Sequence, residues 1–329
     1  MSAVLKTDYS HIDDIYAYAE SVTSGAKLAC KQEIQACKRF FNDLEKDWQY
    51  EFNYDYACRT IRFIELLPHT KGKWARDKEL LILQPWQKFI VGNIFGWINK
   101  DTGMRRFRKA FILAPRKQGK TPIASGIGLY MLCADGEHGA EVYCGANSEK
   151  QALEVFRPAK IMCSKRPDLK ARFKIQIMAK HLEADNGGVF KPVIRNPGDG
   201  SSVSCGIADE GHEADGTELI DAYETGILAR DQPLILEIST AGTNPSSPFR
   251  ARQKEKERVL FEDSADDEFV MIFGIDEGDD WKSEQALIKA NPNYGISVNK
   301  EILLAEQKKA IESPIAIRLL KRHPRPERV

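Results

Sequence analysis

The sequence predicts an α/β fold: a parallel sheet with helices on both faces, followed by a smaller, mostly helical unit. Short apolar or β-branched runs alternate with helical stretches between Phe107 and Thr240. Such alternation builds a parallel sheet that is covered on both sides. After Phe249 the texture changes to charged, helix-forming residues, which places a boundary near 248. At 329 residues, 42% hydrophobic and 29% charged, the chain has room for one large core plus an appendage, and its composition is that of a globular protein.

Taken in order, residues 1–24 lack a clear period apart from a short helix around Ile12–Ser21. Residues 27–48 read as a helix because Ala29, Ile34, Ala36, Phe40, Phe41 and Leu44 form an apolar stripe. A second helix covers Tyr56–Leu66 and is ended by Pro68. The sheet strands are Phe107–Ala114, Glu141–Ala146, Ser202–Ala208 and Leu234–Thr240. Helices follow the first three, running to about Cys133, over Ser148–Ser164 and over Thr217–Ala229. Beyond the boundary come a helix-forming stretch at 250–262, a strand near Phe269–Ile275, and helical segments at 283–290 and 299–312. The expected division is a helical N-terminal extension at 1–55, a core at 56–248, and a linker or lid subdomain at 249–329.

Bulk chemistry narrows the function only slightly. Forty-eight basic residues balance forty-eight acidic ones, so a polyanion would be held by local patches and not by the field of the whole molecule. The seven cysteines form no CxxC pair and no two of them lie near a histidine at ligand spacing, which argues against structural zinc and a disulfide framework. No basic segment followed by an apolar run opens the chain, and no apolar run approaches the ~20 residues that span a bilayer. The expectation is a cytoplasmic protein without a membrane partner.

The strongest motif is Ala114-Pro-Arg-Lys-Gln-Gly-Lys-Thr121, set between a strand and a helix. This is the context of a Walker A phosphate loop, although Ala114 stands where the usual pattern has its first glycine. In such a loop the backbone N–H groups of residues including Arg116, Lys117, Gln118 and Gly119 point at a β-phosphate, and the helix dipole favours its charge. Lys120 would reach the β- and γ-oxygens of ATP, and Thr121 would ligate Mg²⁺. The strand Ser202–Ala208 ends in Asp209-Glu210. At that position Asp209 would hold Mg²⁺ through water, and Glu210 would orient and deprotonate the attacking water. The next strand runs into Thr240-Ala-Gly-Thr-Asn244, placing Thr240 where such ATPases sense the γ-phosphate. Upstream, Gln87 in Leu83-Gln-Pro-Trp-Gln-Lys-Phe89 has the amide that can pair with adenine N6 and N7, with Trp86 and Phe89 packed around it. Each of these has a bland alternative: a basic strand-to-helix turn, a solvated acid pair, an ordinary Gly-Thr-Asn turn. Their order and spacing together favour a P-loop NTPase of the additional-strand, RecA-like kind.

These motifs together resemble the large terminase subunit of tailed bacteriophages. So do His69-Thr-Lys-Gly-Lys-Trp74, Ala146-Asn-Ser-Glu-Lys-Gln-Ala152 and Lys289-Ala-Asn-Pro292. The likeness spans roughly residues 60–310. It implies a motor that hydrolyses ATP with Mg²⁺ and drives double-stranded DNA into a procapsid inside the infected host cell. Its implied partners are a portal protein, a small terminase subunit, and further copies of the chain in a ring. Members of the family carry a nuclease domain, which the segment after 312 is too short to supply, so nuclease activity is not expected of this chain.

By the same resemblance an arginine from a neighbouring copy would neutralise charge on the γ-phosphate. Arg157 and Arg230 are the candidates, each with an ordinary surface arginine as the alternative; Arg116 and Lys117 could instead act within their own subunit. Two basic clusters, Arg105–Lys109 and Lys165–Lys174, are candidates for DNA phosphates, with a solvated charged face as the alternative. A helicase-like DNA translocase shares the adenine glutamine and the acid pair, but it needs a second RecA-like domain. A non-hydrolysing nucleotide-binding scaffold would have no use for Glu210.

Overall fold

The computed structural model describes residues 9–195, 197–198, 200–211, 216–242 and 247–312. Thr243, Asn244 and the Arg325–Val329 run lie outside the described residues, as do residues 1–8.

Helices α1 (Ser10–Thr23) and α2 (Lys31–Glu45) lead through β1 (Tyr50–Phe52) and α3 (Tyr54–Glu65) to α4 (Gly72–Arg76), α5 (Pro85–Gly96) and β2 (Trp97–Asn99). The sheet then begins with β3 (Lys109–Leu113), α6 (Lys120–Cys133), β4 (Glu141–Ala146), α7 (Glu149–Ser164) and α8 (Pro167–Arg172). It continues with β5 (Gln176–Ile177), β6 (Leu182–Glu183), β7 (Val189–Ile194), β8 (Cys205–Asp209), α9 (Glu218–Gly226) and β9 (Leu234–Ser239). Last come α10 (Pro248–Glu262), β10 (Glu268–Ile272), α11 (Glu284–Ala290) and α12 (Lys300–Glu312).

Eight strands form the main sheet in the order β10-β3-β9-β8-β4-β7-β6-β5. All pairings from β10 to β7 are parallel, and only the pairings of β7 with β6 and of β6 with β5, at one edge, are antiparallel. The parallel, two-sided sheet predicted from the sequence is the one observed. Strands β8, β9 and β10 are buried at every position, as a sheet with helices on both faces requires. Helix α6 is apolar on nearly all sides and almost wholly buried. Gly128 lets it approach β7: a Cβ there would lie 2.8 Å from the Phe190 ring. Side-chain caps fix several helix starts, among them Asn53, Ser148, Ser247 and Ser283 accepting from the backbone of Tyr56, Gln151, Arg250 and Ala286.

One strand crosses the boundary expected near 248. Strand β10, placed by the sequence in a separate unit after 248, pairs with β3 in register from Glu268↔Lys109 to Ile272↔Leu113. Its five residues are buried, and an isolated strand cannot bury both faces, so it joins the sheet. Helices α1 and α2 pack on the core as well: Phe40 of α2 lies 5.6 Å from Phe89 of α5, and Cys30 donates to the Ile272 carbonyl. Among the described residues, no helix is long and apolar enough to cross a membrane.

Candidate active site

The phosphate loop leaves β3 at Leu113, where Ala114 N donates to the Ser239 carbonyl at the end of β9. It turns through two left-handed residues, Lys117 (φ 66°) and Gly119 (φ 77°), before α6 begins at Lys120. Glycine suits position 119 doubly, since a Cβ there would stand 3.1 Å from the Gln87 amide. Arg116 and Lys117 face solvent and Thr121 is half-buried on the first turn of α6. Lys120 is buried, and its ammonium donates to the Ala114 and Pro115 carbonyls at 2.9 and 3.0 Å. Burial, aided by Arg116, lowers its pKa to about 8 against the pull of Glu210 and Asp209.

Asp209 and Glu210 stand at the tip of β8. Strand β9 lies between β8 and β3, so the acid pair and the loop are one strand apart and not on adjoining strands. Backbone bonds lace these tips together: Glu210 N donates to Ile238 O, and Phe273 N to Leu113 O. Asp209 is 9% exposed, and its Oδ1 has no hydrogen-bond partner. Burial and then repulsion from Glu210 raise its pKa to about 7, with Lys120 opposing. Glu210 sits at φ 54°, a costly conformation for a non-glycine residue. Its Oε2 accepts from the Thr240 hydroxyl at 3.1 Å and from Thr240 N at 3.4 Å. Lys120, Asp209, Glu210 and Thr240 are thus brought together.

Gln87 lines a cleft beside the phosphate loop. It is buried, its Nε2 donates to Gln118 O at 3.2 Å, and its Oε1 accepts from Gln84 N at 2.9 Å. Both ends of the amide are spent inside the protein, because Gln87 occupies the first turn of α5 and ties that turn to the loop. Trp86 and Phe89 are core residues: Trp86 packs on Phe273 and Phe89 on Phe40. Beside Gly119 a cleft of about 280 Å³ opens between His69, Trp74, Leu83, Gln84, Ile123 and Asn293. His69 and Trp74 lie 4.9 Å apart, tilted by 31°. The two rings bound the His69–Trp74 phrase quoted from the sequence, which by itself assigned them no chemical role.

Two groups of candidate cations make their contacts within the chain itself. Arg230 donates to the carbonyls of Ser202 and Gly139 and pairs with Glu137. Those partners precede β8 and β4, so Arg230 sits at the strand-start end of the sheet, opposite the phosphate loop. Arg105 and Arg106 are buried, paired with Asp135 and Asp43 respectively, which removes them from any DNA surface. Arg157 remains exposed on α7, beside a groove it shares with Lys160, Lys180 and Lys191.

A family model for the ATPase domain of the terminase large subunit matches residues 85–258. The chain is 44% identical to Protein YmfN of Escherichia coli strain K12 over 130 residues, which are 39% of this chain and 28% of that protein. Its fold resembles that of the HK97 bacteriophage large terminase, with a TM-score of 0.69 at 22% identity over 81% of this chain and 54% of that one. The chain therefore spans about a quarter of the first relative and about half of the second. The family match covers the phosphate loop, the acid pair and Thr240, and on it the chain belongs to the terminase large subunit ATPase-domain family.

Proposed function

We propose that this chain hydrolyses ATP to drive double-stranded DNA into a viral procapsid. The supporting observation is the convergence of Lys120 with Asp209 and Glu210 at the strand tips, with Glu210 held by Thr240. In this reading the triphosphate lies along the turn 114–121, over the N-terminus of α6, whose N–H groups and dipole favour phosphate charge. Lys120, now folded on the loop's own carbonyls, transfers its donors to the β- and γ-oxygens. The base lies toward the His69–Trp74 cleft. Glu210 takes a proton from the lytic water, and Thr240 holds the carboxylate in line for it. Arg116 and Lys117 are exposed beside the same phosphates.

The residues present fit Mg²⁺. Thr121 offers a hydroxyl on the first helical turn, and the partnerless Oδ1 of Asp209, near Lys120, offers a carboxylate oxygen. Held by these two residues, Mg²⁺ would supply positive charge against that carried by the phosphates.

DNA translocation, docking on a portal, a small subunit that recognises DNA, and ring assembly extend the same reading. Arg157, exposed on α7, is then the arginine offered to a neighbouring copy, so an isolated subunit should turn over slowly. The test is ATP binding and single-turnover hydrolysis by Glu210→Gln and Lys120→Ala. The first should bind ATP without hydrolysing it, and the second should lose both. Hydrolysis that survives in Glu210→Gln, or ATP affinity unchanged in Lys120→Ala, would refute the assignment.

A further inference from the structure

The Lys289-Ala-Asn-Pro292 motif has no part in the chemistry above, yet it lies against the phosphate loop. Gln118, at the centre of that loop, is fully buried. Its Nε2 donates to Asn291 Oδ1 at 2.9 Å, and its Oε1 accepts from Asn293 N at 2.8 Å. Its carbonyl accepts from Asn293 Nδ2 and from Gln87 Nε2, both at 3.2 Å. Asn293 Oδ1 in turn accepts from Trp86 Nε1 at 2.7 Å, and Ser297 Oγ donates to Lys117 O at 2.6 Å. Asn291 also donates to Leu287 O in the last turn of α11, so the bonds reach into the helical unit beyond 281.

We infer that Asn291, Asn293 and Ser297 form a clamp that holds the phosphate loop in its nucleotide-binding shape, with Asn293 as the principal positioning residue. The loop needs such a clamp. Lys117 is left-handed at φ 66° without being glycine, a conformation that persists only where the surroundings over-determine it. Lys117 and Gly119 flank Gln118, and the side chain between them is the one gripped. Three residues separated from the loop by most of the chain supply the grip, and they offer amide and hydroxyl groups matched donor to acceptor. A satisfied buried network of this kind fixes one geometry, whereas a half-satisfied one fixes none.

The same segment also faces the base. Asn293, Ile296 and Ser297 line the cleft beside Gly119, so one strip of chain touches both the loop and the space where the nucleoside would lie. Coupling between sites is reciprocal. If the clamp favours nucleotide, bound nucleotide must tighten the clamp, and with it α11 and α12, by the same factor. This role of the clamp rests on the proposed ATP site at 114–121, and the test keeps the two ideas separate.

The deciding variants are Asn293→Ala, Gln118→Ala, the two combined, Gln307→Ala and Lys120→Ala. Gln307 anchors α12 to the Trp281 and Ser283 carbonyls without touching the loop, so it controls for general loosening of the same unit. Two readouts are taken: deuterium exchange of the 114–121 amides without nucleotide, and the Kd for a non-hydrolysable ATP analogue with KM and kcat for ATP. Asn293→Ala and Gln118→Ala should each speed loop exchange and weaken binding by about tenfold or more, the scale of two or three lost hydrogen bonds. KM should rise while kcat stays within about twofold, and the double variant should be little worse than either single one. Gln307→Ala should change neither readout. Unchanged loop exchange and KM in Asn293→Ala, or an equal effect from Gln307→Ala, would overturn the clamp. Should Asn293→Ala fail to fold, Ser297→Ala removes one bond at the solvent edge and should raise loop exchange alone. No rise there is also fatal to the idea. If Lys120→Ala binds nucleotide normally while Asn293→Ala still loosens the loop, the ATP-site reading fails and the clamp stands.

Discussion

The Thr240 hydroxyl donates to Glu210 Oε2 at 3.1 Å, across the tips of β9 and β8, and the Thr240 amide supports the same oxygen at 3.4 Å. The threonine expected to sense a γ-phosphate therefore grips the carboxylate expected to activate water. Glu210 is held at φ 54°, so its side chain starts from a strained backbone and is aimed by its partner. Thr240→Val keeps the shape and removes the hydroxyl. It should lower kcat by about 10- to 100-fold with KM nearly unchanged, the pattern of a lost transition-state interaction. Steady-state ATPase kinetics check this; a kcat within twofold of the parent would remove Thr240 from the catalytic group.

Asp209 predicts a trade of stability for function. Its pKa in the fold is about 7, against an ordinary 3.8, because burial and Glu210 penalise the charge. A carboxyl whose folded pKa is raised costs nothing below the unfolded value, costs progressively more between the two, and carries its full penalty above the folded one. Without nucleotide, Asp209→Asn should therefore be more stable than the parent by about 2–4 kcal/mol at pH 8. That advantage should shrink as the pH falls toward 5. Denaturant melts of both proteins at several pH values measure it. An advantage that does not change with pH would mean that the buried charge is not its source.

Much of this was legible in the sequence, for reasons that differ residue by residue. Strands such as Glu141–Ala146 and Leu234–Ser239 announce themselves because a buried strand reads as a near-continuous apolar run, interrupted in the second by Glu237, which pairs with Arg252. The order loop, acid pair, Thr240 follows from chain order alone. Strand pairing does not, because the local pattern marks 268–272 as a strand without naming β3 as its neighbour. Charge runs misled for a physical reason. Arg105 and Arg106 look like surface cations until Asp135 and Asp43, distant in sequence, are folded against them. The loop clamp was equally hidden, since asparagines at 291 and 293 acquire meaning only when Gln118 is placed beside them.

Arg106 gives a stability prediction from that miss. Its guanidinium pairs with Asp43 at 2.7 Å, donates to the Asp266 carbonyl, and lies over the rings of Trp48 and Phe107 at 4.3 and 4.5 Å. Arg106→Ala strips these contacts and leaves buried Asp43 with Arg39 and Lys46 alone. A loss of about 3–5 kcal/mol is expected, as for breaking a buried ion pair. Arg106→Ala combined with Asp43→Asn should recover part of it. Urea denaturation of the three variants tests this, and a loss below about 1 kcal/mol would mean the cation is not structural. DNA affinity per folded molecule should not change.

Gln87 separates two roles that share one residue. A glutamine that reads adenine discriminates between bases, since its amide matches N6 and N7 of adenine and not the corresponding groups of guanine. In this fold that amide joins Gln84 N to Gln118 O, so its effect on nucleotide must pass through the phosphate loop. Gln87→Ala should then weaken ATP and GTP by the same factor, about fivefold to tenfold for two lost hydrogen bonds, and leave their ratio unchanged. The substitution also frees the space next to Gly119, so loop exchange should rise as it does when the clamp is cut from the other side. If Gln87→Ala instead erases a preference for ATP over GTP while loop exchange stays put, the amide must leave Gln118 for the base, and base recognition would belong to Gln87 after all.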